Sequence, residues 1–196
     1  MKRSWIIIAV VVVVIFMLYR LFAGSYNNMV KYEEQVASAW SQVENVYQRR
    51  LDLIPNLVAT VKGAADFEQT TLTKVIEARA SATQIKIDPK NLTPEALQKF
   101  QAAQGELSSA LGRLMVVAEQ YPNLKANQNF LDLQAQLEGT ENRITVERQN
   151  FNNVAKEYNT YVRSFPQNFL AGMYGFSAKA YFEADKGASK APEVKF

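Results

Sequence analysis

Cysteine and histidine are both absent from this chain. Without thiols there can be no disulfide, no thiolate nucleophile and no zinc or iron–sulfur site built on sulfur. Without imidazole there can be no Ser-His-Asp triad and none of the Glu-x-x-His motifs that hold di-iron centres in helical bundles. The composition therefore predicts a protein that is not an enzyme and that carries no metal or other cofactor.

Strand patterns and a basic surface are missing as well. Apolar residues do not alternate with a period of two over any useful length, so strands are not indicated. Lys2, Arg3 and Arg20 account for the whole formal charge of +3, which leaves residues 26–196 with 19 basic and 19 acidic side chains. A neutral body lacks the basic patch that nucleic-acid binding needs. Nucleic acid is therefore not expected as a partner.

A long hydrophobic run opens the chain. Residues 5–22 contain a single charged residue, Arg20. As a helix they would span about 27 Å, which is close to the thickness of a hydrocarbon core. We expect residues 1–25 to form a membrane anchor that contacts the lipid bilayer, with aromatic side chains near its ends. The membrane-spanning residues expected from this pattern include Trp5, Ile6, Ile15, Tyr19 and Phe22.

A cleavable signal peptide is the alternative interpretation of this segment, because the small residues Ala23, Gly24 and Ser25 follow the apolar run. Lys2 and Arg3 precede the run. Together with the N-terminal amine, they favour an N-terminus inside the cell. The body of the protein is then expected on the non-cytoplasmic side of the membrane.

Helical periodicity dominates residues 26–166. Apolar residues recur there every three or four positions, in four stretches separated by prolines. Helix boundaries are predicted at Pro55, Pro94, Pro122 and Pro166, because the residue before a proline is disfavoured in helical conformation. Four such helices predict an all-α protein with an antiparallel four-helix bundle after the transmembrane helix. The alternative at the first of these prolines is one kinked helix that runs through it.

Residues 167–196 form a tail that is rich in aromatic residues but has no helical period. We expect this tail to be a short irregular segment that packs on the bundle, with its last residues disordered. The alternative is an exposed sticky surface that binds another protein or lipid.

Several charged residues occupy positions that the apolar pattern assigns to the core. A hairpin at Pro55 would place Glu33 opposite Arg79 and Glu44 opposite Glu68. The first two residues are therefore predicted to form an interhelical polar pair. The two glutamates would lie at one height, which suits either a cation or acid–base site or a set of polar contacts that fix the helix register.

Residues 39–58 resemble the signature of the bacterial LemA family, and residues 60–63, 141–144 and 165–176 agree with that family as well. Family members usually carry a histidine soon after the Lys-Gly pair, whereas residues 64–68 of this chain contain none. The motif residues within the first stretch are Trp40, Glu44, Tyr47, Arg49, Arg50, Asp52, Pro55 and Asn56.

The resemblance implies a single-pass protein of the bacterial inner membrane with a four-helix bundle. It also implies a non-catalytic scaffold or adaptor for other envelope proteins, associated with membrane-bound peptidases of the HtpX type. No catalytic residues can be transferred from the family. Two alternatives stay open: a homo-oligomeric assembly at the membrane surface, and a membrane-associated enzyme that uses Glu44 and Glu68.

Overall fold

The computed structural model describes residues 2–63 and 68–183, and within them it contains helices and no strand. The predicted all-α class is therefore confirmed. The helices are α1 (Lys2–Lys62), α2 (Gln69–Gln84), α3 (Pro94–Ala118), α4 (Pro122–Lys125), α5 (Gln128–Arg163) and α6 (Gln167–Tyr174), with a short 3-10 turn at Pro89–Asn91 between α2 and α3. Residues 64–67, which include most of the positions where family members usually carry a histidine, lie outside the described residues. The last residues of the tail, which are predicted to be disordered, lie outside them as well.

Helix α1 carries the predicted anchor. Its apolar N-terminal part is long and hydrophobic enough to cross a membrane, and none of that window is buried. A helix that is apolar on all sides and not covered by protein suits a lipid environment. The small residues Ala23, Gly24 and Ser25 lie inside the same helix, which continues without a break into the body.

The predicted hairpin at Pro55 is wrong, because α1 runs through this proline. A proline has no backbone N–H, so the carbonyl four residues earlier, that of Leu51, loses its helical donor. The Nε of Arg79 in α2 donates to this carbonyl over 3.0 Å. Ile54 and Leu57 on either side of the proline are also buried. Burial and this replacement hydrogen bond together make a continuous helix possible.

The other proline boundaries are confirmed. Helix α3 begins at Pro94, and the hydroxyl of Thr93 accepts a hydrogen bond from the backbone N–H of Ala96 over 3.2 Å. Helix α4 begins at Pro122, and α5 ends shortly before Pro166. At these positions the proline stands at or before a helix start, where its missing N–H costs little.

The long helices lie side by side with alternating direction. Helix α5 runs antiparallel to α1, since Tyr32 contacts Tyr161 and Arg50 contacts Glu141. Helix α2 is only 16 residues long and packs mainly against α3. The helix predicted to begin after Pro55 is therefore much shorter than expected, because the residues up to Lys62 belong to α1.

Two groups of buried apolar residues fill the space between the helices, and a layer at Arg50 separates them. We call the group nearer the anchor the proximal core and the other the distal core. The proximal core includes Met29, Trp40, Tyr47, Phe100, Phe151, Tyr158 and Phe182. The distal core includes Leu51, Ile54, Leu57, Val75, Leu107, Leu114 and Leu137.

Candidate functional site: a buried arginine layer and a clamped C-terminal segment

The structure does not bring Glu33 and Arg79 together, so the predicted interhelical pair is wrong. Glu33 accepts a hydrogen bond from the Nζ of Lys179 over 2.8 Å, while Arg79 bonds the carbonyl of Leu51. Helix α1 continues past Pro55 to Lys62, and α2 begins only at Gln69. Arg79 therefore lies level with Leu51, which is about 27 Å beyond Glu33 along α1 at 1.5 Å per residue.

Glu44 and Glu68 are not brought together either. The carboxylate of Glu68 accepts a hydrogen bond from the hydroxyl of Thr71 over 3.1 Å, at the start of α2. Glu44 lies instead along a surface groove shared with Thr83 and Ile85, near the end of α2. Among residues 2–63 and 68–183, no group of three or more acidic side chains is placed to hold a metal ion. The carboxylate pair on which the enzyme alternative rested is absent from the structure.

Arg50 forms a polar layer that joins three helices. Its side chain is only 2% exposed. Its Nη1 donates to the hydroxyl of Ser108 and to the carboxylate of Glu141, both over 2.8 Å, and its Nη2 donates to the side-chain and backbone oxygens of Gln104. The ring of Tyr47 lies 5.1 Å from the guanidinium carbon. The planar guanidinium of Arg50 therefore contacts residues of α1, α3 and α5 at the same time.

The other motif residues divide between the two sides of α1. Trp40 and Tyr47 point inward with Arg50 and are buried. The remaining motif residues are exposed: Glu44, Arg49, Asp52, Pro55 and Asn56. The motif therefore has an inward side that packs the body and an outward side that faces solvent.

The C-terminal segment, residues 176–183, forms neither helix nor strand and is held by its backbone. Asn159 donates to the carbonyl of Lys179 and accepts from its N–H, over 2.8 and 2.7 Å. Asn152 does the same for Phe182, with both bonds at 2.9 Å. Both asparagines belong to α5 and stand two helical turns apart, so they face the same side of that helix. A side-chain amide can donate and accept together, which lets each asparagine bond both the N–H and the carbonyl of one residue in the segment.

Lys179 belongs to this segment, and its side chain is buried. Its Nζ donates to Glu33 over 2.8 Å and to the carbonyl of Lys90 over 2.7 Å, and it lies 5.4 Å from the ring centre of Tyr158. Burial raises the pKa of the Tyr158 hydroxyl, and the nearby Glu33 carboxylate raises this pKa further. The buried ammonium is thus compensated by one carboxylate, one carbonyl and one aromatic face, as a buried charge requires.

Phe182 completes an aromatic group in the proximal core. Its ring stacks on that of Trp40 with centroids 6.0 Å apart, and it meets Phe151 edge to face at 5.5 Å. Arg148 covers its outer side, with the guanidinium carbon 5.0 Å from the ring centre. The indole Nε1 of Trp40 is buried and has no hydrogen-bond partner among the described residues. The C-terminal segment therefore supplies a core residue as well as backbone contacts.

Sequence reasoning missed Asn152, Asn159 and Lys179. Asn152 and Asn159 each bond the backbone of the C-terminal segment, and we call this pair of contacts the clamp. Their seven-residue spacing on one face of a helix is the sequence feature from which the clamp could have been predicted. Lys179 gives no such signal, because its partner Glu33 lies 146 residues away in the chain.

These features define a class of protein: within the described residues it is all-helical, it has a helix long and apolar enough to cross a membrane, and its buried polar groups join its own helices and C-terminal segment. The LemA family model matches residues 39–196. The chain therefore belongs to the LemA family, and the resemblance seen in the sequence is confirmed.

Relatives of this chain carry two different names. Magnetosome protein MamQ 2 of Paramagnetospirillum magneticum is 29% identical over 186 residues, covering 86% of this chain and 68% of the relative. Magnetosome protein MamQ of Magnetospirillum gryphiswaldense is 28% identical, with the same coverage of 86% and 68%. Protein LemA of Metamycoplasma hominis is 24% identical over 168 residues, covering 86% of this chain and 73% of the relative.

Proposed function

We propose that this protein is a non-catalytic scaffold or adaptor that holds other envelope proteins at a fixed position relative to the bacterial inner membrane. In this proposal residues 5–22 cross the bilayer once and a four-helix bundle stands on the non-cytoplasmic side. The observation that supports it most directly is the continuity of α1 from Lys2 to Lys62. One helix is thus both the anchor and a structural member of the body.

A continuous helix fixes the distance and the rotation of the body relative to the membrane-crossing segment. The part of α1 beyond Phe22 extends about 60 Å from the apolar segment, at 1.5 Å per residue. A body that works independently of the membrane needs only a flexible tether. A body that positions partners at a set distance from the bilayer benefits from a stiff connection, and α1 provides one.

The use of the buried polar groups supports a non-catalytic role. Arg50 bonds Gln104, Ser108 and Glu141, and Lys179 bonds Glu33 and a backbone carbonyl. Such contacts hold elements of the fold in place. The outward side of the motif on α1 then remains as the surface offered to partners.

Interruption of the stiff connection tests this proposal. A flexible Gly-Ser insertion after Ala23 keeps both the anchor and the body but removes the rigid link between them. A photo-crosslinking residue at the exposed position Gln48 reports contacts of the outward side in intact cells. We expect defined crosslinked partners for the parent protein and their loss with the insertion.

A seven-residue helical insertion at the same point is the matched control. Seven residues make about two helical turns, so the connection stays stiff and the body is hardly rotated about the axis of α1. It should retain crosslinks to partners whose contact surface extends along α1. Equal crosslinking with the flexible and the helical insertion would overturn the scaffold proposal. So would the absence of any specific adduct when the crosslinking residue is placed in turn on every exposed face.

A further inference from the structure

Helix α6 has apolar side chains on its solvent side as well as on its buried side. Leu170 and Ala171 are buried against the body. Phe165, just before the helix, is 87% exposed, and Phe169 and Met173 within it are 74% and 57% exposed. Phe169 and Met173 stand one helical turn apart and so form one stripe on α6. A helix that is apolar on both sides needs a second apolar environment.

The position of α6 indicates what that environment is. The ring of Tyr26 in α1 contacts those of Tyr174 and Phe176, with centroids 5.1 and 5.9 Å apart. Tyr26 follows Phe22, the last residue of the membrane-crossing segment, by one helical turn. It lies about 19 Å along α1 from the middle of residues 5–22, whereas the headgroup region of a bilayer extends from about 15 to 22 Å from the midplane.

We propose that α6 is a second membrane contact, which lies in the headgroup region of the bilayer that α1 crosses. Phe169 and Met173 insert among the lipids, while Leu170 and Ala171 keep the helix attached to the body. Interfacial helices bind through buried apolar area and, where they are basic, through attraction to anionic lipids. Residues 167–174 contain no charged side chain, so this contact requires only the apolar part and forms on zwitterionic lipid.

The absence of cysteine makes a direct test possible. The full-length F169C variant is labelled with an environment-sensitive NBD fluorophore and reconstituted in phosphatidylcholine vesicles. Lipids that carry a nitroxide just below the headgroup then report contact by quenching. We expect a blue-shifted emission and strong quenching at this position.

The full-length V146C variant, labelled in the same way, is the matched control. Val146 is also apolar and 61% exposed, but it lies in α5, about 30 Å farther from the membrane along α1 than Tyr26. We expect a water-like emission and little quenching there. Circular dichroism of both labelled proteins, compared with the parent, confirms that they are folded.

Two results would overturn the proposal. The label at residue 169 could emit and be quenched like the label at residue 146, which would place α6 in water. Alternatively, its blue shift could vanish when the vesicles are diluted to fewer than one chain each, which would make a second copy of the chain, not lipid, the cover of this stripe. Persistence of quenching at that dilution supports contact with lipid.

Discussion

The hydrogen bond from Arg79 to the carbonyl of Leu51 leads to a sharp prediction. Pro55 has no N–H, so it cannot donate to this carbonyl, and Arg79 donates instead over 3.0 Å. Leu51 is only 5% exposed, which limits the access of water to its carbonyl. The substitution Arg79→Met keeps a long side chain but removes the donor, and it should therefore leave a buried acceptor without a partner.

The expected loss is that of an unsatisfied buried polar group, about 1 to 3 kcal/mol of unfolding free energy. The substitution Pro55→Ala restores a backbone donor to the same carbonyl. In a chain that already carries Pro55→Ala, Arg79→Met should therefore cost close to zero. The two substitutions are thus coupled by about 1 to 3 kcal/mol, which lies within the range found for residues that share a partner.

Thermal unfolding of the full chain in mild detergent, followed by far-UV circular dichroism, measures the four members of this cycle. For a chain of this size about 1 kcal/mol corresponds to roughly 2 to 4 °C in Tm. Arg143→Met is the control, since Arg143 is exposed on α5 and surface substitutions usually change stability by less than about 0.5 kcal/mol. An equal cost of Arg79→Met in the parent chain and in the chain that carries Pro55→Ala would refute the explanation of why α1 continues through the proline.

Three further predictions concern the polar contacts. Arg50→Ala should lower the unfolding free energy by about 2 to 5 kcal/mol, because it removes a large buried side chain and leaves the side chains of Gln104 and Ser108 without this donor. Glu141→Gln should cost only about 1 kcal/mol, because the Glu141 side chain is 54% exposed. A larger loss for Glu141→Gln than for Arg50→Ala in denaturant unfolding would contradict this order. Asn152→Ala should cost about 1 to 3 kcal/mol, since the N–H and carbonyl of Phe182 lose their partner. Hydrogen exchange should show Phe182 exchanging faster, and unchanged protection would contradict the clamp. Because the folded-state pKa of Tyr158 is raised, the stability that this group contributes is complete below about pH 10 and is lost as pH rises further. Tyr158→Phe should reduce the loss of Tm at alkaline pH in a series of melting curves. The same dependence of Tm on pH in the variant and the parent would contradict this prediction.

The helical class and most helix starts could be predicted from the sequence because local rules decide them. Thr93 followed by Pro94 is a cap followed by a residue suited to the first helical position, and the structure agrees. Pro55 follows the same local rule, yet α1 continues. Interruption of a helix by proline costs about 3 kcal/mol, whereas burial of one Ile or Leu side chain contributes about 1.5 to 3 kcal/mol. Burial of Ile54 and Leu57 together with the Arg79 hydrogen bond therefore outweighs the local preference.

The candidate pairs could not be predicted because they depended on the position of one turn. When the turn between two antiparallel helices lies at a different residue, every pair of facing residues changes. The predicted pairs Glu33–Arg79 and Glu44–Glu68 were therefore both wrong for the same reason. The contacts that replaced them are long-range: Lys179 reaches Glu33, and Arg50 reaches Glu141 across 91 positions. Apolar periodicity places such residues on a buried face but does not say which element they meet there.

In the proposed arrangement, the continuous helix and the apolar stripe of α6 would together limit where a partner can bind. A single crossing helix leaves the body free to tilt about the membrane surface. A second contact through Phe169 and its neighbours removes most of that freedom, because the body then rests on the bilayer at two points. The outward motif residues from Glu44 to Asn56 would be held about 33 to 51 Å beyond Phe22, at 1.5 Å per residue. A partner that binds this side must therefore extend well above the headgroups, which favours a protein with a folded domain outside the membrane over one confined to the bilayer.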